Sequence, residues 1–232
     1  MRGAPRSAPG SPHGAPRRPG HPGGPEIAGR PWSVILAALY TKLAGLNCLR
    51  HVGTEGTVTR HKVVEKEKAL KSLAMELDIP VFYSTHLYTS KDFENWKSLN
   101  GIDKIMFDLP MFAEGTWGHD YHPDLKPDSN TVVMNPHKGL SNFWTGDAAI
   151  QLRQYGIETV ILYGMSANLC VESHARDAIE NGFDLIIVAD ATAAAGDAGD
   201  AAYQAALTNF EFLAHEVVTA SQIMRRLKSA KR

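Results

Sequence analysis

The chain has 232 residues, 44% of them apolar, enough to bury the core of one domain of α/β size. Two cysteines, Cys48 and Cys170, are too few for a disulfide framework and stand in no C-x-x-C or paired Cys/His spacing for zinc, so a reducing, cytoplasmic compartment is expected. The net charge is −1, but residues 1–30 hold five arginines against the single acid Glu26, which leaves about −5 on the remainder by subtraction and argues against nucleic acid as a partner.

Residues 1–31 contain eight of the thirteen prolines, with Gly and Arg filling much of the rest, and cannot bury enough apolar surface to offset chain entropy. They read as a disordered leader ahead of a folded domain spanning 32–232. An Arg-rich, acid-poor leader has features of a transit peptide, and Arg17-Arg18 ahead of an apolar run has features of a twin-arginine signal. The apolar run from Trp32 to Tyr40 is too short to cross a bilayer, and Lys42 interrupts its continuation, so no membrane span is expected.

Ser33 to Tyr40 fits either a buried strand or a short helix, since periodicity does not separate the two at this length. From Val63, the positions Val63, Leu70, Leu73, Ala74 and Leu77 mark one face of a helix that Asp78 and Pro80 stop. Ile79 to Thr85 reads as a strand, and His86 to Asn130 as a long loop region of functional character. Thr131 to Met134 is a short strand running into Asn135-Pro136-His137-Lys138, and residues near 147–155 form a helix ended by Gly156. Ile157 to Tyr163 is the next strand. It runs into Gly164-Met165-Ser166-Ala167-Asn168-Leu169-Cys170, after which Val171, Ala175, Ala178 and Ile179 share a helix face closed by Asn181-Gly182. Asp184 to Ala189 has the continuous apolar character of a strand buried on both faces. Tyr203, Ala206, Leu207 and Phe210 mark another helix, Glu216 to Val218 a last strand, and Thr219 with Gln222 a capping box for a C-terminal helix.

Strands alternating with helices predict an α/β fold, a mostly parallel sheet covered by helices on both faces, in which ligands bind at the C-terminal strand edge. Lys138 and Cys170 both stand just past the ends of predicted strands and so converge on that edge. A lone cysteine is most often a small buried hydrophobe. At the start of a helix, however, unpaired N–H groups and the macrodipole favour an anion, which predicts an easily formed thiolate suited to nucleophilic attack. The Cys170 N–H and one from the Ser166–Leu169 turn are candidate oxyanion donors, and Lys138 would favour the thiolate by its charge.

Gly164 to Glu172, then Ala175-Arg176-Asp177-Ala178, Gly182-Phe183 and Asp190-Ala191-Thr192-Ala193, resemble the signature of the isochorismatase-like cysteine hydrolases, which include nicotinamidase, N-carbamoylsarcosine amidohydrolase and biuret hydrolase. The resemblance covers roughly Thr57 to Leu227. It implies a six-stranded parallel sheet, no cofactor, and a homo-oligomer that hydrolyses an amide-type C–N bond of a small amide or ureide through a covalent acyl-enzyme. By position it implies Cys170 as nucleophile, Lys138 as the triad lysine, an oxyanion hole from the N–H groups of Ser166 and Cys170, and a cis peptide at Met165-Ser166. It also implies a basic aspartate at the end of the first strand. No Asp precedes Asp78, and ungapped alignment back from Val63-Val64 puts Ala38 in that place.

Two explanations compete: a catalytically impaired relative, or an N-terminal segment that is not the native one. His86, His137 and Glu172 are the candidate substitutes for the base. The loop holding His86 and Tyr88 is where nicotinamidases hold a metal, but it lacks their aspartate and two-histidine spacing, so no metal is expected. Tyr88, Trp96, Trp117, Phe143 and Trp144 are the candidate aromatic substrate contacts, or else core and interface residues. A non-catalytic, ligand-binding relative is the main alternative, and a thiol redox protein is disfavoured because no resolving cysteine is evident.

Overall fold

The computed structural model describes residues 32–37, 55–109, 111–116, 119–196 and 200–230, the segment 32–37 and Glu55 by backbone alone. The 1–31 leader, Ala38, Cys48 and Trp117 lie outside the described residues. Six strands, β1 (Trp32–Ala37), β2 (Val81–Ser84), β3 (Thr131–Val133), β4 (Thr159–Met165), β5 (Asp184–Ala193) and β6 (Glu216–Val218), pair in the order β3-β2-β1-β4-β5-β6. Every pairing is parallel. The ambiguous segment near Ser33 is thus a strand, and its ladder bonds to β2 on one side and β4 on the other are what decide it, a non-local feature that no local pattern encodes. Strand order reverses between β1 and β4, which makes their C-terminal ends the crevice where α/β sheets bind ligands.

Two apolar layers sandwich this sheet because alternate strand residues point to opposite faces. On one face Tyr83, Ile161, Tyr163, Ile186 and Val188 pack against helices α1 (Glu55–His61) and α2 (Val63–Glu76), with the C-terminal helix also on this side. On the other, Phe82, Val160, Leu162, Leu185 and Ile187 meet the helices that follow β3, β4 and β5. Helix α2 buries Val63, Leu70, Leu73 and Ala74 as its spacing predicts, and it ends where Asp78 turns left-handed at φ 57° before Pro80. The same stripe also buries two charged types, Glu67 and Lys71. Lys71 is satisfied by the Lys126 carbonyl and by Asp128 at 2.7 Å, whereas neither carboxyl oxygen of Glu67 has a hydrogen-bond partner among the described residues.

The stretch from His86 to Asn130 is more ordered than a long loop. It contains α3 (Ser90–Asn95) and α4 (Gly101–Asp108), each opened by a local cap. Thr89 and Asp92 form a capping box on α3, and the Asn100 side chain accepts from the N–H groups of Ile102 and Asp103 on α4. Helices this short have too few turns for an apolar period to show, so only their caps mark them. Helices α5 (Asn142–Thr145) and α6 (Ala148–Gln154) follow β3. The buried Asn142 joins them, its Oδ1 accepting from the N–H groups of Asp147 and Ala148, both at 2.9 Å. Helices α7 (Glu172–Glu180), α8 (Ala201–Leu213) and α9 (Ala220–Ala230) complete the chain, the last opened by the expected Thr219–Gln222 box at 2.7 and 3.3 Å.

Candidate active site

The turn that carries Cys170 is built by the end of β4. Gly164 has φ 121°, a region closed to most side chains, and the Met165–Ser166 peptide that follows is cis. The chain then enters a wide π-type turn, Ala167–Val171, in which the Val171 N–H reaches back to the Ser166 carbonyl at 3.0 Å. Cys170 therefore lies inside this turn rather than at the helix start read from the sequence. The neighbouring backbone N–H groups of Ser166 and of Cys170 itself favour a thiolate. Burial acts the other way and wins: with Cys170 only 8% exposed, the thiol is pushed up to about 12. The expected low-pKa thiolate is thus corrected. Two well-placed donors do not compensate for loss of bulk water around the charge.

Behind the turn that bears Cys170, His174 forms a buried junction. Its Nε2 accepts from the Asn142 N–H at 3.1 Å and lies 2.7 Å from the Ser84 hydroxyl. That arrangement puts the ring proton on Nδ1, which donates to the Cys170 carbonyl at 2.7 Å. One imidazole thereby ties together the end of β2, the start of α5 and the turn bearing the thiol. Burial lowers His174 to about 4 and keeps it neutral. His174 carried no signal in the sequence beyond its spacing four residues after Cys170, which places it one helical turn on.

Lys138 arrives from the end of β3 and is held by its backbone. Its N–H donates to the Thr145 hydroxyl at 3.0 Å, and that hydroxyl donates to the Lys138 carbonyl at 2.6 Å. The next residue, Gly139, takes φ 66°, donates its N–H to the Tyr88 hydroxyl at 3.1 Å and accepts from His86 Nε2. The Lys138 ammonium stands 5.7 Å from the centre of the Tyr88 ring and pairs with the carboxylate of Asp92. Tyr88 is close enough to Cys170, Asp92 and Asp103 that, after burial, their charges help raise its phenol to about 12. Tyr88 thus connects the lysine side of the site to the thiol side. Asp92 was not singled out from the sequence. The only local signal at Asp92 is the Thr89-x-x-Asp92 capping box.

Of the other residues singled out, Tyr88 is fully buried, stacked on His86 and edge-on to Trp96. Phe143 sits beside the His174 and Phe183 rings. Trp144 is 82% exposed and its indole N–H donates to Asp177 at 3.0 Å, two helical turns past Cys170. Glu172 is engaged by Arg176 and Asn209 on the flank of α7. His86 and His137 are buried with ring centres 3.9 Å apart, and burial lowers both, His86 to about 4. At about 4, His86 is no weaker a base than an ordinary aspartate, and its Nε2 is committed to the Gly139 carbonyl. Among the described residues no group of three or more His, Cys, Asp or Glu side chains is arranged to hold a metal ion, and no helix is long and apolar enough to cross a membrane.

The isochorismatase domain profile matches residues 46–222. The chain belongs to the isochorismatase family. The strand β1, at 32–37, precedes the matched span. Among curated relatives, the ureidoacrylate amidohydrolase RutB of Serratia proteamaculans is 35% identical over 122 residues, covering 50% of this chain and 48% of the relative. The RutB protein of Pseudomonas savastanoi is 34% identical over the same length and shares. The matched segment thus spans about half the length of these curated relatives. Among solved structures, a cysteine hydrolase from Pseudomonas syringae superposes with a TM-score of 0.74 at 21% identity, over 86% of this chain and 93% of that one. N-carbamoylsarcosine amidase from Thermoplasma acidophilum superposes with a TM-score of 0.60 at 18% identity, over 82% and 96%. These structural likenesses show a shared isochorismatase-type α/β fold.

Proposed function

We propose that this isochorismatase-family protein is a cysteine hydrolase that cleaves an amide-type C–N bond of a small molecule, with Cys170 as the nucleophile. One observation carries the reading: Cys170 lies on the turn after β4, at the switch point of the sheet, beside two backbone N–H groups, its own and that of Ser166, that favour negative charge there. The sulfur attacks the substrate carbonyl carbon, and the carbonyl oxygen takes up the negative charge beside those two donors. The S–C bond forms, the C–N bond breaks, and the proton that left the thiol ends on the departing nitrogen. Water then attacks the thioester, releasing the acid and returning a proton to sulfur. Lys138 supplies the positive charge on the β3 side.

With the thiol at about 12, only a minute fraction is ionised near neutrality, so attack must be coupled to proton removal. The RutB relatives, named for ureidoacrylate, make ureides the first substrate class to try. Of the aromatic candidates, Tyr88 contributes a wall of the site rather than an exposed contact, since it is fully buried. Phe143 and Trp144 are assigned to its α5 margin.

The test is release of amine or ammonia from small amides and ureides by the purified chain, with Cys170→Ala alongside. Turnover abolished by the substitution supports the reading, and turnover indifferent to it removes the nucleophile assignment. The raised thiol also favours a second reading, a ligand-binding relative without catalysis, which predicts binding of the same compounds with no turnover and no acyl adduct.

A further inference from the structure

We infer that Asp92 is the positioning carboxylate of this site, anchoring the Lys138 ammonium from α3. The inference rests on the cysteine hydrolase reading and adds a residue to it. Three donors converge on a single oxygen, Asp92 Oδ2: the Thr89 N–H at 2.8 Å, the Thr89 hydroxyl at 2.9 Å and the Lys138 ammonium. Burial opposes the charge on Asp92, yet the hydrogen bonds from Lys138 and Thr89 outweigh it and hold the carboxyl below its usual range. A carboxylate held that way is a weak base and a firm anchor.

The capping box fixes Asp92 to the first turn of α3, so the lysine is tied to a rigid point and not to a swinging side chain. The consequence is directional. The Lys138 side chain is about one third exposed, while that of Asp92 is 14% exposed. A freed ammonium on a flexible four-carbon stem would move toward water, whereas the paired one stays over the Tyr88 ring. Asp92 therefore acts through Lys138.

The experiment measures the rate at which iodoacetamide alkylates Cys170 as a function of pH, read by peptide mass so that Cys48 is scored separately. It compares wild type with Asp92→Asn, Asp92→Glu, Lys138→Met and the Asp92→Asn/Lys138→Met double variant. Asn at 92 can still accept from Thr89, which preserves the α3 cap. The expected result is a fall of about five- to tenfold at pH 8 in Asp92→Asn, the worth of up to about one pKa unit in thiolate population. Lys138→Met should fall equally, the double variant no further, and Asp92→Glu should recover part of the rate. Wild-type or faster alkylation in Asp92→Asn overturns the assignment, as do losses that multiply in the double variant. Alkylation needs no substrate, so absence of amide turnover would count against the hydrolase reading while leaving the Asp92 result readable.

Discussion

Acidification should strip stability from this protein through its buried imidazoles, and His174 offers the cleanest view of it. His174 is held neutral because both ring nitrogens are committed, Nδ1 to the Cys170 carbonyl and Nε2 to the Asn142 N–H, with water excluded. Burial lowers it from 6.5 to about 4. A histidine lowered in the fold costs nothing above its unfolded pKa. As pH falls below about 6.5 the unfolded chain takes up a proton that the native state refuses, so stability declines until the native pKa is passed near 4. At pH 5 the two values correspond to about 2 kcal/mol lost through His174 alone. His86, lowered to about 4 by burial, adds a comparable loss, partly shared because the two rings influence one another. Denaturant unfolding at pH 7 and pH 5, for wild type and His174→Gln, measures this. His174→Gln should be less stable at pH 7, because Ser84 and Asn142 lose their acceptor, yet its drop from pH 7 to 5 should be about 2 kcal/mol smaller. An identical drop in both proteins would refute the account of His174 as a neutral, doubly committed ring.

Other perturbations test separate parts of the structure. Glu67, fully buried and without a hydrogen-bond partner among the described residues, has its carboxyl raised well above the usual range by burial, so stability should fall as pH rises from about 4.5 through that raised value. Glu67→Gln should abolish that alkaline slope, and Glu67→Met should raise unfolding stability by about 1–3 kcal/mol, the cost of leaving a buried polar group unpaired. A Cβ on Gly146 would lie 2.3 Å from Asn142 Oδ1 and force that side chain off the N–H groups of Asp147 and Ala148. Gly146→Ala should therefore cost about 2–4 kcal/mol in thermal or denaturant unfolding. Leu162→Ala, at a fully buried position of β4, should cost about 2–5 kcal/mol in the same assay.

The strand ends that carry the candidate site residues were legible because their signals are local. The apolar run of β4 followed by a Gly-Met-Ser turn places Cys170 at the sheet edge, and the run of β3 places Lys138 there too. Chemistry that depends on what packs around a residue was not legible. The thiol looks activated from its position after a strand, but its acidity is set by burial that the sequence does not display. Asp92 pairs with a lysine 46 residues away, and its own neighbourhood reads only as a capping box. His174 looks like any polar residue on α7 until Ser84 and Asn142 arrive from other elements. Glu67 and Lys71 share the inward stripe of α2, against the rule that such residues face water. The strand identity of β1 rests on ladder bonds to β2 and β4, each contributed by chain far off in sequence.

The central claim is that Cys170 forms a covalent intermediate, and intact-protein mass spectrometry of acid-quenched turnover tests it most directly. With a small ureide or amide as substrate, the account predicts an added mass equal to the acyl portion, mapped by peptide sequencing to Cys170 and absent from Cys170→Ala. Product formation that persists in Cys170→Ala, with no adduct on the wild-type thiol, would contradict it.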